Sequence, residues 1–158
     1  MKKIVLFVFL LSFTRIAFRQ QPDQMQVKVT GNSFEKRSLK NGVLFFTNKK
    51  YRISAVPKVF EGFDFLASPG KVAEEGSITP SKDGLIYIIA PSETNIKGWI
   101  IVDDSEFTYD DPNNTKLCIY QKKVKAGQDI KIPTISKFAG ITPLAKKIEY
   151  GLQTVEVK

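Results

Sequence analysis

The stretch "GLIYIIAPSETNIKGWIIVDDSEFTYDDPNNTKLCIYQ", residues 84 to 121, decides the fold. It contains four short runs rich in β-branched and aromatic residues: "GLIYIIA" (84 to 90), "GWIIV" (98 to 102), "FTY" (107 to 109) and "TKLCIYQ" (115 to 121). Pro, Gly, Ser, Asp and Asn separate these runs, a pattern typical of short antiparallel strands. The first run is apolar at both sets of alternating positions, so it is predicted to be a central strand.

Four more runs of the same kind lie on either side of this stretch: "VLFFT" (43 to 47), "YRISAV" (51 to 56), "FDFLA" (63 to 67) and "DIKIP" (129 to 133). The first two are joined by "NKK" and predict a hairpin. Eight short strands with no sustained helical period favour an all-β fold, an antiparallel two-sheet β-sandwich of jelly-roll-like form. The sandwich domain is predicted to span 43 to 158, with the last 25 residues adding either a strand or a short helical turn, the latter at 143 to 151. Residues 20 to 42 are interpreted as a polar lead-in or an edge strand.

The N-terminus carries Lys2 and Lys3 followed by "IVLFVFLLSF" from Ile4 to Phe13. Ten mostly apolar residues are too few to span a bilayer core of about 30 Å but match the apolar region of a signal peptide. Residues 1 to 19 are therefore predicted to be a signal peptide, with an uncleaved anchor as the alternative. The protein is expected to be extracytoplasmic, in a periplasm, at a cell surface or secreted, with no membrane span in the mature chain.

The charge balance argues against nucleic acid as a partner. The chain has 24 basic and 16 acidic residues; removing 1 to 19 takes away four basic residues and leaves 24 − 4 = 20 against 16, a net charge of about +4. The remaining basic residues form doublets rather than one phosphate-neutralising stripe. A weak preference for anionic ligands stays open.

Two features of the composition remove whole classes of chemistry. The chain contains no histidine, which excludes Ser-His-Asp and Cys-His catalysis and all His-ligated metal sites. Cys118 is the only cysteine, so no intramolecular disulfide can form, and in "LCIYQ" it is interpreted as a small buried hydrophobic residue.

Five acidic residues lie between Asp103 and Asp111. A helix-loop-helix calcium loop is excluded, because counting from Asp103 the sixth position is Thr108 rather than Gly and the twelfth is Asn114 rather than Glu. The main interpretation of "DDPNN" (110 to 114) is a hairpin turn. The alternatives are a structural calcium ion held by Asp103 and Asp104, and a pair of catalytic carboxylates. No other cofactor is predicted.

A carbohydrate site needs aromatic rings against which sugar C–H faces stack, with polar side chains that bond the hydroxyls. The candidate rings are Trp99 and Tyr109, and the candidate cations are Lys50 and Arg52. Each has a structural alternative: Trp99 fits the core as well as a rim, and Arg52 fits a solvated strand face.

Several segments together resemble the small β-sandwich accessory modules, carbohydrate-binding-like, of secreted bacterial glycan-degrading proteins. They are "LFFTNKKYRISAVPKVFEGFDFLAS" (44 to 68), "SKDGLIYII" (81 to 89), "GWIIV" (98 to 102) and "IYQKKVKAGQDIKIP" (119 to 133). The resemblance implies a jelly-roll-like sandwich, an extracytoplasmic location and a non-catalytic role near carbohydrate.

Three function classes follow. The first is a secreted non-catalytic module that binds carbohydrate or is accessory to it. The second is a small carbohydrate-active enzyme that uses carboxylates. The third is a structural or protein-interaction domain of the cell envelope, with a protein as partner. An exposed ring would favour the first, two facing carboxylates the second, and an unprotected sheet edge the third.

Overall fold

A computed structural model describes residues 25 to 31, 33 to 70, 75 to 134 and 141 to 152. The predicted signal peptide (1 to 19) lies outside the described residues. The described chain is nearly all β, as predicted. Its strands are β1 Gln26–Gly31, β2 Glu35–Ser38, β3 Ile53–Ser54, β4 Asp64–Ala67, β5 Gly76–Pro80, β6 Gly84–Pro91, β7 Ile100–Ile101, β8 Phe107–Tyr109, β9 Lys116–Val124, β10 Ile130–Lys131, β11 Thr142–Ala145 and β12 Lys147–Leu152; a single 3-10 turn covers Lys58–Phe60.

The strands form two sheets. The small sheet has the order β10-β5-β1-β12, and the large sheet has the order β2-β4-β11-β6-β9-β8-β3, with β7 also paired to β9. All the neighbouring pairs are antiparallel except β1 and β12, which run parallel. The large sheet curls into a half-barrel. The architecture is therefore a two-sheet sandwich, as the sequence predicts.

The sandwich core fills the space between the two sheets. Val29 from the small sheet and Ile86, Ile88 and Tyr120 from the large sheet are among its members. The other side of β6 carries Tyr87 and Ile89, which are buried inside the curl of the large sheet in a second cluster, the barrel core. The prediction that both faces of "GLIYIIA" are buried in a central strand is confirmed.

The curl of the large sheet is closed by Arg37 on the edge strand β2. Its guanidinium donates to the carbonyl oxygens of Leu44 at 2.6 Å and Phe46 at 3.1 Å, and forms an ion pair with Glu35 at 2.8 Å. These carbonyls belong to the segment that precedes β3, the strand at the far end of the sheet. Arginine can make all these bonds together because its guanidinium carries five donors in a fixed plane.

The predicted hairpin at 43 to 56 is present in a minimal form. Leu44 and Arg52 form an antiparallel bridge, and the Phe45 N–H donates to the Tyr51 carbonyl at 2.9 Å. Only Ile53–Ser54 forms a regular strand there.

The two ends of the described sandwich bear on the sequence predictions. The sandwich includes strands before residue 43: β1 lies inside the small sheet with Val27 and Val29 buried, and β2 is an edge strand. Of the two alternatives for the end of the chain, the structure shows the strand and not the helical turn, because the segment 143 to 151 forms most of β11 and β12. In β12, Ile148 is buried while Glu149 is exposed, which is the two-residue alternation of a strand rather than a helical period.

Candidate functional site

The acidic segment lies on a bulge of the strand that faces β9. Ile101 of β7 pairs with Tyr120 and Phe107 of β8 pairs with Leu117, so β7 and β8 line up along one edge of β9. Residues 103 to 106 loop outward between them. A bulge of this kind leaves extra residues without ladder partners and re-aims their side chains.

At this bulge, the side chain of Ser105 makes the hydrogen bonds that the backbone of a regular strand would otherwise make with β9. Its side chain is buried, and its hydroxyl accepts a hydrogen bond from the Ile119 N–H at 3.1 Å and donates to the Val102 carbonyl at 2.6 Å. Asp103 and Asp104 are exposed on the outside of the bulge, and Asp104 has a φ of 55°. Aspartate tolerates this left-handed conformation better than most residues do.

The remaining acids of the segment have structural partners. Glu106 forms an ion pair with Lys116 at 2.9 Å, and Asp110 accepts a hydrogen bond from the Arg52 N–H. Asp111 accepts from the backbone N–H of Thr115 at 2.7 Å and from its hydroxyl at 2.8 Å. These bonds form the turn at 110 to 114, so the main interpretation of "DDPNN" is confirmed.

Within the described part of the chain, no three His, Cys, Asp or Glu side chains form a group that could hold a metal ion. A calcium ion usually has about six to eight oxygen ligands. At Asp103 and Asp104 it would therefore have to draw most of them from backbone carbonyls or water. Structural calcium stays a prediction.

Trp99 lies in the sandwich core, with a relative exposure of 9%. Lys122 lies on β9, the strand that pairs with β7, and its ammonium group is 5.8 Å from the centre of the Trp99 ring. A cation over an indole face is favourable, and the lysine stem also shields the ring from water. Trp99 is thus a core residue and offers no open ring at the surface.

Tyr109 lies in the barrel core, with a relative exposure of 7%. Burial raises the pKa of its hydroxyl, and the neighbouring Asp111 carboxylate acts in the same direction, so the group stays protonated at neutral pH. Trp99 and Tyr109 belong to different cores on opposite faces of the large sheet. The structure does not bring the two predicted rings together.

Tyr109 is part of a row of four nearly parallel rings, the aromatic stack, in the order Phe65, Phe45, Tyr109 and Tyr51. Successive ring centres are 6.1, 5.5 and 5.7 Å apart, and the planes differ by 16°, 14° and 16°. Phe65 is fully buried and Phe45 is 1% exposed, whereas Tyr51 is only partly buried. The stack therefore runs from the interior of the barrel core to the surface.

Tyr51 is the outermost ring of the stack. One face meets Tyr109, and Phe46 contacts it edge-on at 6.5 Å. No further aromatic ring among the described residues contacts it. Trp99 and Tyr109 are the two rings that the sequence predicts to contact a ligand. Both are buried, whereas Tyr51 is a partly exposed ring of the same stack as Tyr109. The sequence feature that indicates its exposure is its position directly after the "NKK" turn, where a strand residue lies close to the rim.

The two predicted cations flank Tyr51 in the chain, and both are exposed. Arg52 points away from the barrel core, as alternation along the strand predicts; its guanidinium donates to the Gly42 carbonyl at 2.8 Å. On the same outer side, the hydroxyl groups of Ser54 and Thr108 are hydrogen-bonded to each other at 2.8 Å. The structure thus brings Lys50, Arg52 and Tyr109 into one region around Tyr51, and leaves Trp99 outside it.

Cys118 is buried in the sandwich core, as predicted. Burial raises the pKa of its thiol, with Glu106 adding to the effect, so the reactive thiolate is disfavoured. None of the described residues forms a helix long and apolar enough to cross a membrane.

No protein-family model matches the chain, and no curated protein matches it significantly in sequence. Among solved structures, the chain is similar to a β-glucuronidase from glycoside hydrolase family 2, with a TM-score of 0.54 and 10% sequence identity. The match covers 73% of this chain and 14% of the glucuronidase chain. The shared feature is the fold: a β-sandwich that also occurs as a small part of a carbohydrate-processing enzyme.

Proposed function

We propose that this protein is a secreted, non-catalytic accessory module that binds carbohydrate through the ring of Tyr51. The observation that carries the proposal is the aromatic stack, which ends at a partly exposed tyrosine. Sugars present apolar C–H faces that pack on such rings, while the phenol hydroxyl remains available for a hydrogen bond. The similarity of the fold to a small part of a β-glucuronidase supports a role connected with carbohydrate.

The stack suits this role because it holds the outer ring in place. Three rings behind Tyr51, at spacings of 5.5 to 6.1 Å, fix its orientation before any ligand arrives. A pre-oriented side chain loses little conformational freedom on binding, which increases the net affinity.

Lys50 and Arg52 supply positive charge beside the ring. Both are exposed, and Arg52 uses one guanidinium nitrogen on the Gly42 carbonyl, which leaves other donors for a ligand. These groups suit the hydroxyls or carboxylates of a polyhydroxylated or acidic glycan.

The placement of the acidic residues supports a non-catalytic role. Glycoside hydrolysis needs two carboxyls about 5 to 9.5 Å apart across a cleft, one of them protonated. Glu106 is paired with Lys116 on the protein surface, and Asp110 and Asp111 hold the turn after β8. Each of these carboxylates has a structural task that explains its presence.

Binding is tested by a glycan array followed by calorimetry on neutral and acidic polysaccharides. Tyr51→Ala is expected to weaken binding by about 1 to 3 kcal/mol, a factor of roughly 5 to 150. Tyr51→Phe, the matched control, keeps the ring and should retain most of the affinity. Lys50→Ala and Arg52→Ala should weaken binding of acidic glycans more than of neutral ones. The proposal fails if no glycan binds, or if Tyr51→Ala binds like the wild type.

Export is part of the proposal and is tested separately. In the native host the protein should lose its first 17 to 21 residues, near the end of the predicted signal peptide. N-terminal sequencing of the mature protein measures this directly. Intact Met1 on a cytoplasmic pool would contradict export but would leave the binding test unaffected.

A further inference from the structure

Basic and apolar residues alternate across neighbouring strands at the end of the barrel core that lies away from Tyr51. Leu85 of β6 pairs with Lys123 of β9. The antiparallel pairing of β11 with β6, continued by two residues, places Lys146 on the other side of Leu85. The ammonium group of Lys146 also lies 5.3 Å from the centre of the Phe63 ring, just before β4. A lysine, a leucine and a second lysine thus lie side by side.

These side chains stand on the barrel face of the large sheet. Leu85 packs against the barrel core and is partly exposed. Lys123 alternates along β9 with Lys122, which covers the Trp99 ring, and with Val124, which is buried in the sandwich core. Since successive residues of a strand point to opposite faces, Lys123 lies on the barrel side, and it is exposed.

The 3-10 turn Lys58–Phe60 covers the same end of the barrel core. The ring of Phe60 contacts the rings of Phe63 and Tyr87, with centres 5.4 and 5.5 Å apart. Phe60 is therefore the buried anchor of the turn, while Lys58 and Val59 remain at the surface. The side chain of Val59 is 49% exposed.

A second exposed aliphatic residue lies on the same face. Ile100 of β7 is 70% exposed and pairs with Gln121, two residues before Lys123 on β9. Paired residues of an antiparallel ladder point to the same face, so Ile100 shares the barrel side with Lys123. Ile101, the next residue, points to the opposite face.

Together these residues form the basic rim: Lys58, Val59, Leu85, Ile100, Lys123 and Lys146. Within the part of the chain that the structure describes, its three lysines form no ion pair. Two acids lie nearby. Glu61 follows the 3-10 turn, and Asp83, just before β6, forms an ion pair with Lys125 at 3.2 Å. Counting the rim with Glu61 leaves a net charge of 3 − 1 = +2.

We propose that the basic rim docks on the surface of an anionic lipid bilayer. Each lysine near such a surface is attracted by the lipid phosphates. Val59 and Ile100 enter the boundary between head groups and acyl chains, where aliphatic side chains leave water. An acidic polysaccharide offers the charge but no apolar phase for these two side chains, so the combination favours a bilayer.

This inference does not rest on the proposed carbohydrate site, which lies at the other end of the barrel core. The Tyr109 N–H donates to the Thr115 carbonyl at 3.3 Å, and Thr115 precedes Lys123 by 123 − 115 = 8 residues along β9. At about 3.3 Å a residue, the two ends are about 26 Å apart. A molecule docked by its basic rim therefore presents Tyr51 away from the bilayer.

The test is cosedimentation of the protein, as its host produces and processes it, with lipid vesicles. Vesicles of equal parts phosphatidylglycerol and phosphatidylcholine should bind it, and vesicles of phosphatidylcholine alone should not. Binding should weaken as the salt concentration rises and be lost near about 1 M, where the Debye length is about 3 Å.

The lysines are tested by Lys123→Gln with Lys146→Gln. This pair should weaken binding to the anionic vesicles by about 25-fold, from about fivefold for each lysine. Lys28→Gln with Lys131→Gln is the matched control, because it removes the same charge from two exposed lysines on the outer face of the small sheet. The control pair should stay within about twofold of the wild type, since those charges are distant and screened.

The aliphatic residues are tested by Val59→Ser and Ile100→Ser, each of which should weaken vesicle binding about fivefold. Ile101→Ser, at a 43% exposed isoleucine on the other face of β7, is the control and should leave binding unchanged. Unchanged melting temperatures show that the variants fold. Three results would each overturn the proposal: no binding to anionic vesicles at low salt, equal binding to phosphatidylcholine alone, or equal losses in the rim variants and their controls. Binding of a soluble acidic polysaccharide in place of the vesicles would overturn it as well.

Discussion

Ser105→Ala is expected to destabilise the protein by about 1 to 3 kcal/mol, although it removes a single oxygen atom. The hydroxyl accepts from the Ile119 N–H at 3.1 Å and donates to the Val102 carbonyl at 2.6 Å. Ile119 has a relative exposure of 0%, so water cannot readily replace the lost acceptor. The predicted cost is that of leaving one buried N–H without a partner.

Urea unfolding monitored by tryptophan fluorescence measures this cost, provided that the slope of the free energy of unfolding against urea stays unchanged. Ser54→Ala is the matched control, because its hydroxyl bonds Thr108 at 2.8 Å on the exposed side of the sheet. The control should change the free energy of unfolding by no more than about 0.5 kcal/mol. If Ser105→Ala is no more destabilising than Ser54→Ala, the reasoning about the bulge is wrong.

Three further predictions follow from the packing, the backbone and the charges. Trp99→Ala should lower the free energy of unfolding by about 3 to 5 kcal/mol without changing glycan binding, as calorimetry and thermal unfolding will measure, because the indole is in the sandwich core. Ala55→Gly should raise the melting temperature slightly, because Ala55 has a φ of 59°, where an alanine costs about 1 to 2 kcal/mol and only part of the gain is offset by the unfolded chain. The hydrogen bond from Arg37 lowers the pKa of Glu35 below its ordinary value of 4.5, so the stability from this bond is present at neutral pH and is lost as the pH falls through the lowered pKa. The free energy of unfolding of Glu35→Gln, measured in urea, should therefore differ from that of the wild type at pH 7 and approach it as the pH falls below 4.5.

The sequence predicts the strands whose local pattern is unambiguous. "GLIYIIA" is apolar on both faces and is bounded by turn residues, so its central place in the sheet can be read directly. The strand β1 has a weaker local signal, because Val27 and Val29 alternate with polar Lys28 and Thr30 next to the "TGNS" break. Such a short alternating segment is stabilised by its neighbours β5 and β12, which are distant in sequence.

The geometry of the candidate site cannot be read from local sequence, since it comes from segments that are distant in the chain. The rings of the aromatic stack come from residues 45, 51, 65 and 109, and nothing local indicates that they are parallel neighbours. Which ring is buried depends on where each strand ends in the folded sheet. Trp99 directly precedes β7 at a sheet edge, yet its ring is buried in the sandwich core. Tyr51 is only partly buried, at the rim of the barrel core.

The aromatic stack gives a graded test that separates a structural row of rings from a binding site. From Phe65 outward to Tyr51, burial decreases, so Ala substitution should cost about 3 to 5 kcal/mol of stability at Phe65 and progressively less toward Tyr51. The effect on glycan affinity should run the other way and be largest at Tyr51, because only that ring of the four is partly exposed. Thermal unfolding and calorimetry on the same four Ala variants measure both series. Equal stability losses along the row, with no loss of affinity at Tyr51, would make the stack a core feature and would contradict the proposed binding site.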